Sequence, residues 1–263
     1  MTPPTMWEAV RSGEIVFYRF RPPPWAAIPH GFLTRRGGVS LPPFASLNLS
    51  RSVGDRPEAV EENMRRALAA AGLRPEETVT AWLVHGNTVA VVGWDDGGRA
   101  LPGVDGLVTA ARGLALWLRF ADCLPILLAD PDLPAVGLLH VGWRGLAAGI
   151  LEAALAIFES RLGRAPSRLH AAIGPGIGGC CYAIRSDVIE ALRPRLGKDL
   201  PLHRRDGAWH LDLPEAARRH LHRLGVPSVT VAPVCTACHV EDWFSHRAEN
   251  GRTGRFGVWI RNP

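Results

Sequence analysis

Two short apolar runs, Pro125 to Ala129 and Ala135 to Val141, flank a turn at Asp130-Pro131-Asp132-Leu133. Each is too short for a helix and is bounded by turn formers, so the stretch predicts a buried β-hairpin. An antiparallel hairpin centred on that turn opposes positions that sum to 263: 130 with 133, 124 with 139, and Cys123 with His140. Opposed residues in such a pair lie roughly 4.5–5.5 Å apart. A thiol and an imidazole therefore meet at the open end of the hairpin. Gly142-Trp143-Arg144-Gly145 follows and leads toward a helix, turning a cation and a helix N-terminus to the same place. A register slip of one residue would send the two side chains to opposite faces.

A chain of 263 residues with 47% hydrophobic and 21% charged residues can bury a sizeable core as one large domain or two small ones. Its formal charge of +5 comes from arginine, Lys198 being the only lysine. The arginines are scattered, without a basic run or an RNA-binding signature, which argues against a nucleic-acid partner and fits a small anion gripped by guanidinium forks. No apolar run approaches the ~20 residues that cross a bilayer, and the N-terminus lacks a signal-peptide pattern. The expectation is a cytoplasmic protein with no membrane partner. Reducing conditions there make Cys123, Cys180, Cys181, Cys235 and Cys238 ligands, nucleophiles or core thiols rather than disulfides.

Patterning predicts strands over Glu14–Phe20, Val79–Val84, Thr88–Val92, Val104–Thr109, Leu114–Phe120, Arg168–Ile173, Val229–Val234 and Phe256–Ile260. The segments 79–84 and 88–92 alternate like a pair around the tight turn His85-Gly86-Asn87. Helices are expected over Pro57–Leu73, Leu146–Arg161, Ser186–Leu196 and Leu213–Leu224. Residues 30–50 are polar and glycine-rich with little strand signal, the profile of a binding loop. Strands outnumber helices and strict β-α alternation is missing, so a single α+β domain over residues 1–263 is the reading.

Cys123 and His140 suit either a nucleophilic Cys–His pair or two metal ligands. His85, beside Gly86, is the natural third ligand. A Cys-His-His set leaves a fourth tetrahedral position open, the mark of a catalytic zinc. Asp122 and Arg144 would then orient ligands or substrate. Near the C-terminus, Trp243 to Arg247 and Arg252 to Arg255 form an arginine-rich loop in which Arg247 and Arg255 are expected to clamp an anion. Three patterns are set aside in their usual meaning, though the glycine stretch 174–179 still suits a tight turn that brings backbone amides to a ligand. Cys235-Thr-Ala-Cys238-His239 matches a c-type haem attachment pattern that needs export. Gly174-Pro-Gly176-Ile-Gly-Gly179 fits GxGxxG without a surrounding βαβ unit. His220-Leu-His222 lies on an expected helix, where residues two apart diverge.

The chain resembles the family first named multicopper polyphenol oxidoreductases (laccase-like). That family was later described as purine nucleoside phosphorylases with adenosine deaminase activity, and its bacterial members are also called peptidoglycan editing factors. The resemblance is carried by His30-Gly-Phe-Leu-Thr-Arg35-Arg-Gly-Gly-Val-Ser40, Ser46-Leu-Asn48-Leu, Gly54-Asp55, Glu62-Asn63, Val84-His85-Gly86 and Ala121-Asp-Cys-Leu-Pro-Ile-Leu-Leu-Ala-Asp130. It continues through His140-Val-Gly-Trp-Arg-Gly145, Ile173-Gly-Pro175, Cys180-Cys-Tyr182, Cys235-Thr-Ala-Cys238 and Thr253-Gly-Arg255. Leu83, Val141, Gly176 and Gly179 depart from the commoner Gln, Ala, Cys and Pro of relatives. The resemblance implies an α/β/β/α layered fold with mixed sheets and a zinc or copper ion on His85, Cys123 and His140.

It also implies an enzyme that splits adenosine or inosine with phosphate and deaminates adenosine; a monomer is expected. Deamination needs activated water at C6 of adenine. Phosphorolysis needs a phosphate held near C1′, for which Arg35, Arg144 and Arg255 are the expected donors, with Ser46 and Asn48 on the ribose. Alternatives are a cysteine amidase acting on peptidoglycan precursors through Cys123 and His140, a copper oxidase of phenols, and a metal-binding module without turnover.

Overall fold

The computed structural model describes residues 6–263. Two large mixed sheets stack face to face. One has seven strands in the order Trp7–Ser12, Ile15–Phe20, His30–Leu33, Phe256–Arg261, Ala115–Phe120, Thr78–Trp82 and Ala100–Pro102. The other has six, in the order Ser228–Val231, His170–Ile173, Leu124–Asp130, Leu133–Val141, Gly106–Thr109 and Val89–Val91. A small three-stranded sheet, Ala183–Ile184, Ala208–Leu211 and Leu202–Arg205, lies beside them.

Layering follows from what each strand buries. In Leu124–Asp130, Leu124, Ile126 and Leu128 pack with the helices Ile150–Leu162, Ser186–Leu196 and Leu213–Arg223, while Leu127 and Ala129 pack with Phe32, Leu118 and Val258 of the opposite sheet. A strand with two buried faces reads as an unbroken apolar run, which is why this one stood out. The outer face of the seven-stranded sheet is covered by the helix Pro57–Ala71 through Ala67 and Leu68, against Trp117 and Trp259. The result is a single α+β domain in four layers, α/β/β/α.

Four sequence expectations are corrected. The hairpin register holds at Leu133↔Asp130 but shifts before Val136↔Ala129, so the open end pairs His140 with Pro125 rather than with Cys123. The slip amounts to two residues, and side chains alternate with period two, so Cys123 and His140 still share a face. Segments 79–84 and 88–92 do not pair with each other. Thr78–Trp82 lies parallel to Ala115–Phe120 in one sheet and Val89–Val91 parallel to Gly106–Thr109 in the other, so the His85 turn is a crossover between sheets. The helix expected over 146–161 is two helices, Trp143–Ala148 and Ile150–Leu162, broken at Gly149. Gly149 has φ +91°, and a Cβ there would meet the Arg195 guanidinium at 2.6 Å. Within the expected loop 30–50, His30–Leu33 is a fully buried strand, while 34–50 is irregular.

Candidate metal centre and pocket

The two sheets part at one rim, and three donors converge there. Cys123 comes from just before one strand, His140 from near the end of the next, and His85 from the crossover between sheets. Their ligand atoms lie within 4.8 Å of one another. The His85 and His140 rings are 4.9 Å apart between centroids, and His140 also leans on Phe120 of the opposite sheet at 5.5 Å. His140 is buried and His85 exposed, so the trio opens to one side only.

Asp105, fully buried, organises both histidines. Its carboxylate accepts from the backbone N–H groups of Val84 (3.1 Å), His85 (2.9 Å) and Gly86 (2.8 Å), which fixes the crossover. It also accepts from His140 Nδ1 at 3.0 Å, which leaves Nε2 free toward Cys123. His85 sits at φ +61°, a left-handed conformation that histidine tolerates better than bulkier residues. Gly142, opposite Cys123 in the shifted register, has an ordinary extended backbone; a Cβ there would stand 2.8 Å from Cys123 Sγ. The absent side chain makes room for the thiol.

Electrostatics match the donor chemistry. Burial pushes the Cys123 thiol up, but the His140 and His85 rings outweigh it and hold the thiol below its ordinary value, at about 6. Burial pulls His140 down, and the Cys123 thiolate and Asp105 carboxylate overturn that and raise it. Burial likewise pushes Asp105 up, and His140 with the Gly86 and Val84 amides brings it below the usual carboxylate range. One thiolate and two imidazoles, one of them braced by a carboxylate, form a donor set that suits a borderline-soft divalent ion with a vacant corner.

The vacant side faces a cavity of about 540 Å³, within the range of small-molecule sites. Trp82, Trp143 and Tyr182 give it aromatic faces; Arg51, Arg119, Arg144, Arg247 and Arg255 give it cations. Arg144 stacks on Trp143 at 4.6 Å and Arg247 on Tyr182 at 5.1 Å. Burial lowers the pKa of Arg119 and of Arg255, and each guanidinium also donates to backbone carbonyls, Arg119 to Ala81 O and Arg255 to Thr253 O and Gly254 O.

Asp122 also lines the cavity, but its carboxylate is spoken for. It accepts from Thr236 Oγ1 (2.7 Å), Ser245 Oγ (2.7 Å) and the Arg247 backbone N–H (2.6 Å). It therefore ties the C-terminal loop to Cys123. Three expected substrate contacts lie outside the cavity wall. Arg35 donates to Ala45 O, Val240 O and Glu249. Ser46 donates to Arg35 O at 2.9 Å. Asn48, fully buried, donates to Asp55 and accepts from the Arg255 backbone N–H at 2.9 Å, so it positions a cavity arginine. Arg51, Arg119 and Tyr182 were not expected in the wall, nor Asp105 in the brace. For Asp105 one signal existed: a lone acid at the head of the apolar strand 106–109.

A layered α+β domain with a three-donor centre at the rim between its sheets defines the class. The sequence model of the multi-copper polyphenol oxidoreductase laccase family matches residues 29–262, and the chain belongs to that family. It is 41% identical over 250 residues to the purine nucleoside phosphorylase YlmD of Geobacillus stearothermophilus, covering 90% of this chain and 91% of the relative. It is 35% identical over 228 residues to the purine nucleoside phosphorylase YfiH of Shigella flexneri, covering 86% and 90%. The crystal structure of the Geobacillus YlmD superimposes with a TM-score of 0.92 at 38% identity, over 98% of this chain and 99% of that one. That of the Bacillus licheniformis hypothetical protein YfiH gives 0.90 at 31% identity, over 98% and 100%.

Proposed function

We propose that the protein is a zinc-dependent purine nucleoside phosphorylase that also deaminates adenosine. The observation that carries this is the open Cys-His-His trio facing a cavity walled by aromatic rings and arginines. His85, Cys123 and His140 would hold the ion, which would supply Lewis acidity beside the cavity. The chain does the rest. Trp82, Trp143 and Tyr182 offer flat apolar faces of the kind a purine stacks on. Arg144, Arg247 and Arg255, with Arg51 and Arg119, bind phosphate and aim it at C1′. A phosphate oxygen bonds to C1′ as the C1′–N9 bond breaks and its electron pair leaves with the base. One thiolate and two imidazoles with a fourth position left open are donors of the kind catalytic zinc takes.

A multicopper oxidase needs further histidine ligands. Among the described residues the one other cluster of potential ligands is all cysteine, and the His220/His222 pair is engaged elsewhere, with Glu152 and with Val226 O. The cysteine-amidase reading draws on the same Cys123–His140 juxtaposition, and a chelator separates the two: thiol catalysis survives metal removal. The direct test is purified protein with inosine, with and without phosphate. Phosphate-dependent release of hypoxanthine and ribose 1-phosphate is expected. Base release indifferent to phosphate overturns the reading. Adenosine should in addition yield inosine and ammonia.

A further inference from the structure

Behind the cavity wall, four cysteines from two distant loops gather: Cys180 and Cys181 from one, Cys235 and Cys238 from the other. We propose that they form a second metal site, closed and structural, which takes one thiophilic divalent ion such as zinc and staples the two loops together.

All four Sγ atoms lie within 4.8 Å of one another, with Cys238 at 3.4 Å from Cys180 and 3.3 Å from Cys181. Four sulfurs at about 2.3 Å from a tetrahedral zinc are separated by roughly 3.8 Å. The two Cys238 spacings are a few tenths of an ångström shorter than that, and no pair exceeds 4.8 Å. They are well beyond the ~2.05 Å of a disulfide, and Cys238 sits at almost the same distance from two partners, as a shared ion requires.

The backbone is shaped for this. Adjacent residues in an extended chain point to opposite sides, yet Cys180 and Cys181 both face Cys238. They do so because a tight turn, with the Cys181 and Tyr182 N–H groups both on Gly178 O at 3.0 Å, rotates them by a helical step. A second turn, closed by Cys238 N–H on Cys235 O at 3.2 Å, brings the two sulfurs of the C-x-x-C segment to one side. The Gly178 N–H donates to Cys235 Sγ at 3.2 Å, a bond that strengthens when sulfur carries charge. Arg205 reaches Cys180 O at 3.3 Å, placing a cation at the edge of a site whose four thiolates outweigh a divalent charge. C-x-x-C with two more thiols is the donor set of structural zinc sites. On loading, each thiol yields its proton to solvent as its sulfur bonds the ion; nothing is oxidised.

The staple holds the wall of the first centre. Gly176 and Cys235 form a β-bridge between the two loops. From one loop Ile177 N–H donates to Asp122 O at 2.9 Å, and from the other Thr236 Oγ1 donates to the Asp122 carboxylate. Asp122 precedes Cys123. The two sites thus share one residue's neighbours and no ligand.

The full chain, purified under reductant without chelator, loaded with zinc and desalted, should retain two ions by elemental analysis, and Cys123→Ser one. Because Cys238→Ser can fail to fold, the decisive measurement leaves the cluster intact: Cys123→Ser is loaded with cobalt(II). An intense tetrahedral d–d envelope with sulfur-to-cobalt charge transfer of four-thiolate strength is expected. A single ion in the parent with none in Cys123→Ser overturns the proposal. So does an intact mass two hydrogens light in the reductant-purified protein, which would make the cluster a disulfide.

Discussion

The His85–Cys123–His140 centre and the four-cysteine cluster are built from overlapping chemistry to opposite ends. The first has three donors, one buried acid behind a histidine, and an open side on a cavity lined with cations. The second has four donors and no open corner, and its brace is a backbone N–H rather than a carboxylate. Donor count would separate their reactivity: three donors leave a position for substrate, whereas four thiolates around one ion would only hold chain to chain. The locations agree. One centre lies where the sheets part; the other joins two loops that have few strand hydrogen bonds to hold them.

The largest expected effect follows from removing the thiolate ligand of the open centre. Cys123→Ser replaces a thiolate by a hydroxyl that does not ionise near neutral pH and leaves His140 and Asp105 in place. Altering even an outer partner of a metal ligand costs about 10–100-fold in affinity or activity; loss of the ligand itself should exceed about 100-fold in phosphorolysis. Circular dichroism should be unchanged. A Cys123→Ser protein with near-parental turnover would show that the open centre is not where the chemistry occurs.

Gly142→Ala sharpens the contrast. The backbone at Gly142, φ −91° and ψ 176°, suits alanine, so the only objection is the new Cβ at 2.8 Å from Cys123 Sγ. Overpacking of this kind costs about 1–3 kcal/mol, and here it falls on the thiolate's position. Zinc affinity at the open centre should drop by about tenfold or more, since about 1.4 kcal/mol is a factor of ten. The four-cysteine cluster, which does not touch Gly142, should keep its ion. Equal loss from both sites, read by competition with a chromophoric chelator, would make the two centres one cooperative unit.

Much of the open centre was legible because strands impose period two. Even with the register wrong by two residues, parity kept Cys123 and His140 on one face. The shift arises between Leu133 and Val136, and the turn residues did not announce it. His85 was legible as a donor but not in its setting: alternation identifies a strand without identifying its sheet, so 79–84 and 88–92 looked like a hairpin. The arginines show the opposite failure. Arg35, Ser46 and Asn48 sit in polar, glycine-rich sequence that resembles a binding loop, yet Arg35 and Asn48 tie that loop to Glu249, Asp55 and Arg255, and Ser46 donates to Arg35 O within it. Arg119 lies on a core strand and gave no hint of facing a cavity. The four-cysteine cluster was visible as a C-x-x-C and an adjacent pair, but some 55 residues separate them, and only the fold brings them together.

The smallest expected effect tests the joint between the two regions. Thr236 is fully buried and gives its hydroxyl proton to Asp122 at 2.7 Å. Thr236→Val keeps the shape and deletes one of three donors to a mostly buried carboxylate; Ser245 and the Arg247 N–H remain. A hydrogen bond to a charged group is worth about 1.5–3 kcal/mol, and in a domain near this size each kcal/mol moves the thermal midpoint by roughly 2–4 °C. Both ions should stay bound, since no ligand changes. Asp122 should settle slightly differently, and with it the Arg247 loop that lines the cavity. The signature is a KM for phosphate raised severalfold with kcat nearly intact. A fall in kcat without change in KM would mean instead that Asp122 acts through Cys123 and the ion, and that the staple and the open centre are coupled at the reacting atoms rather than at the cavity wall.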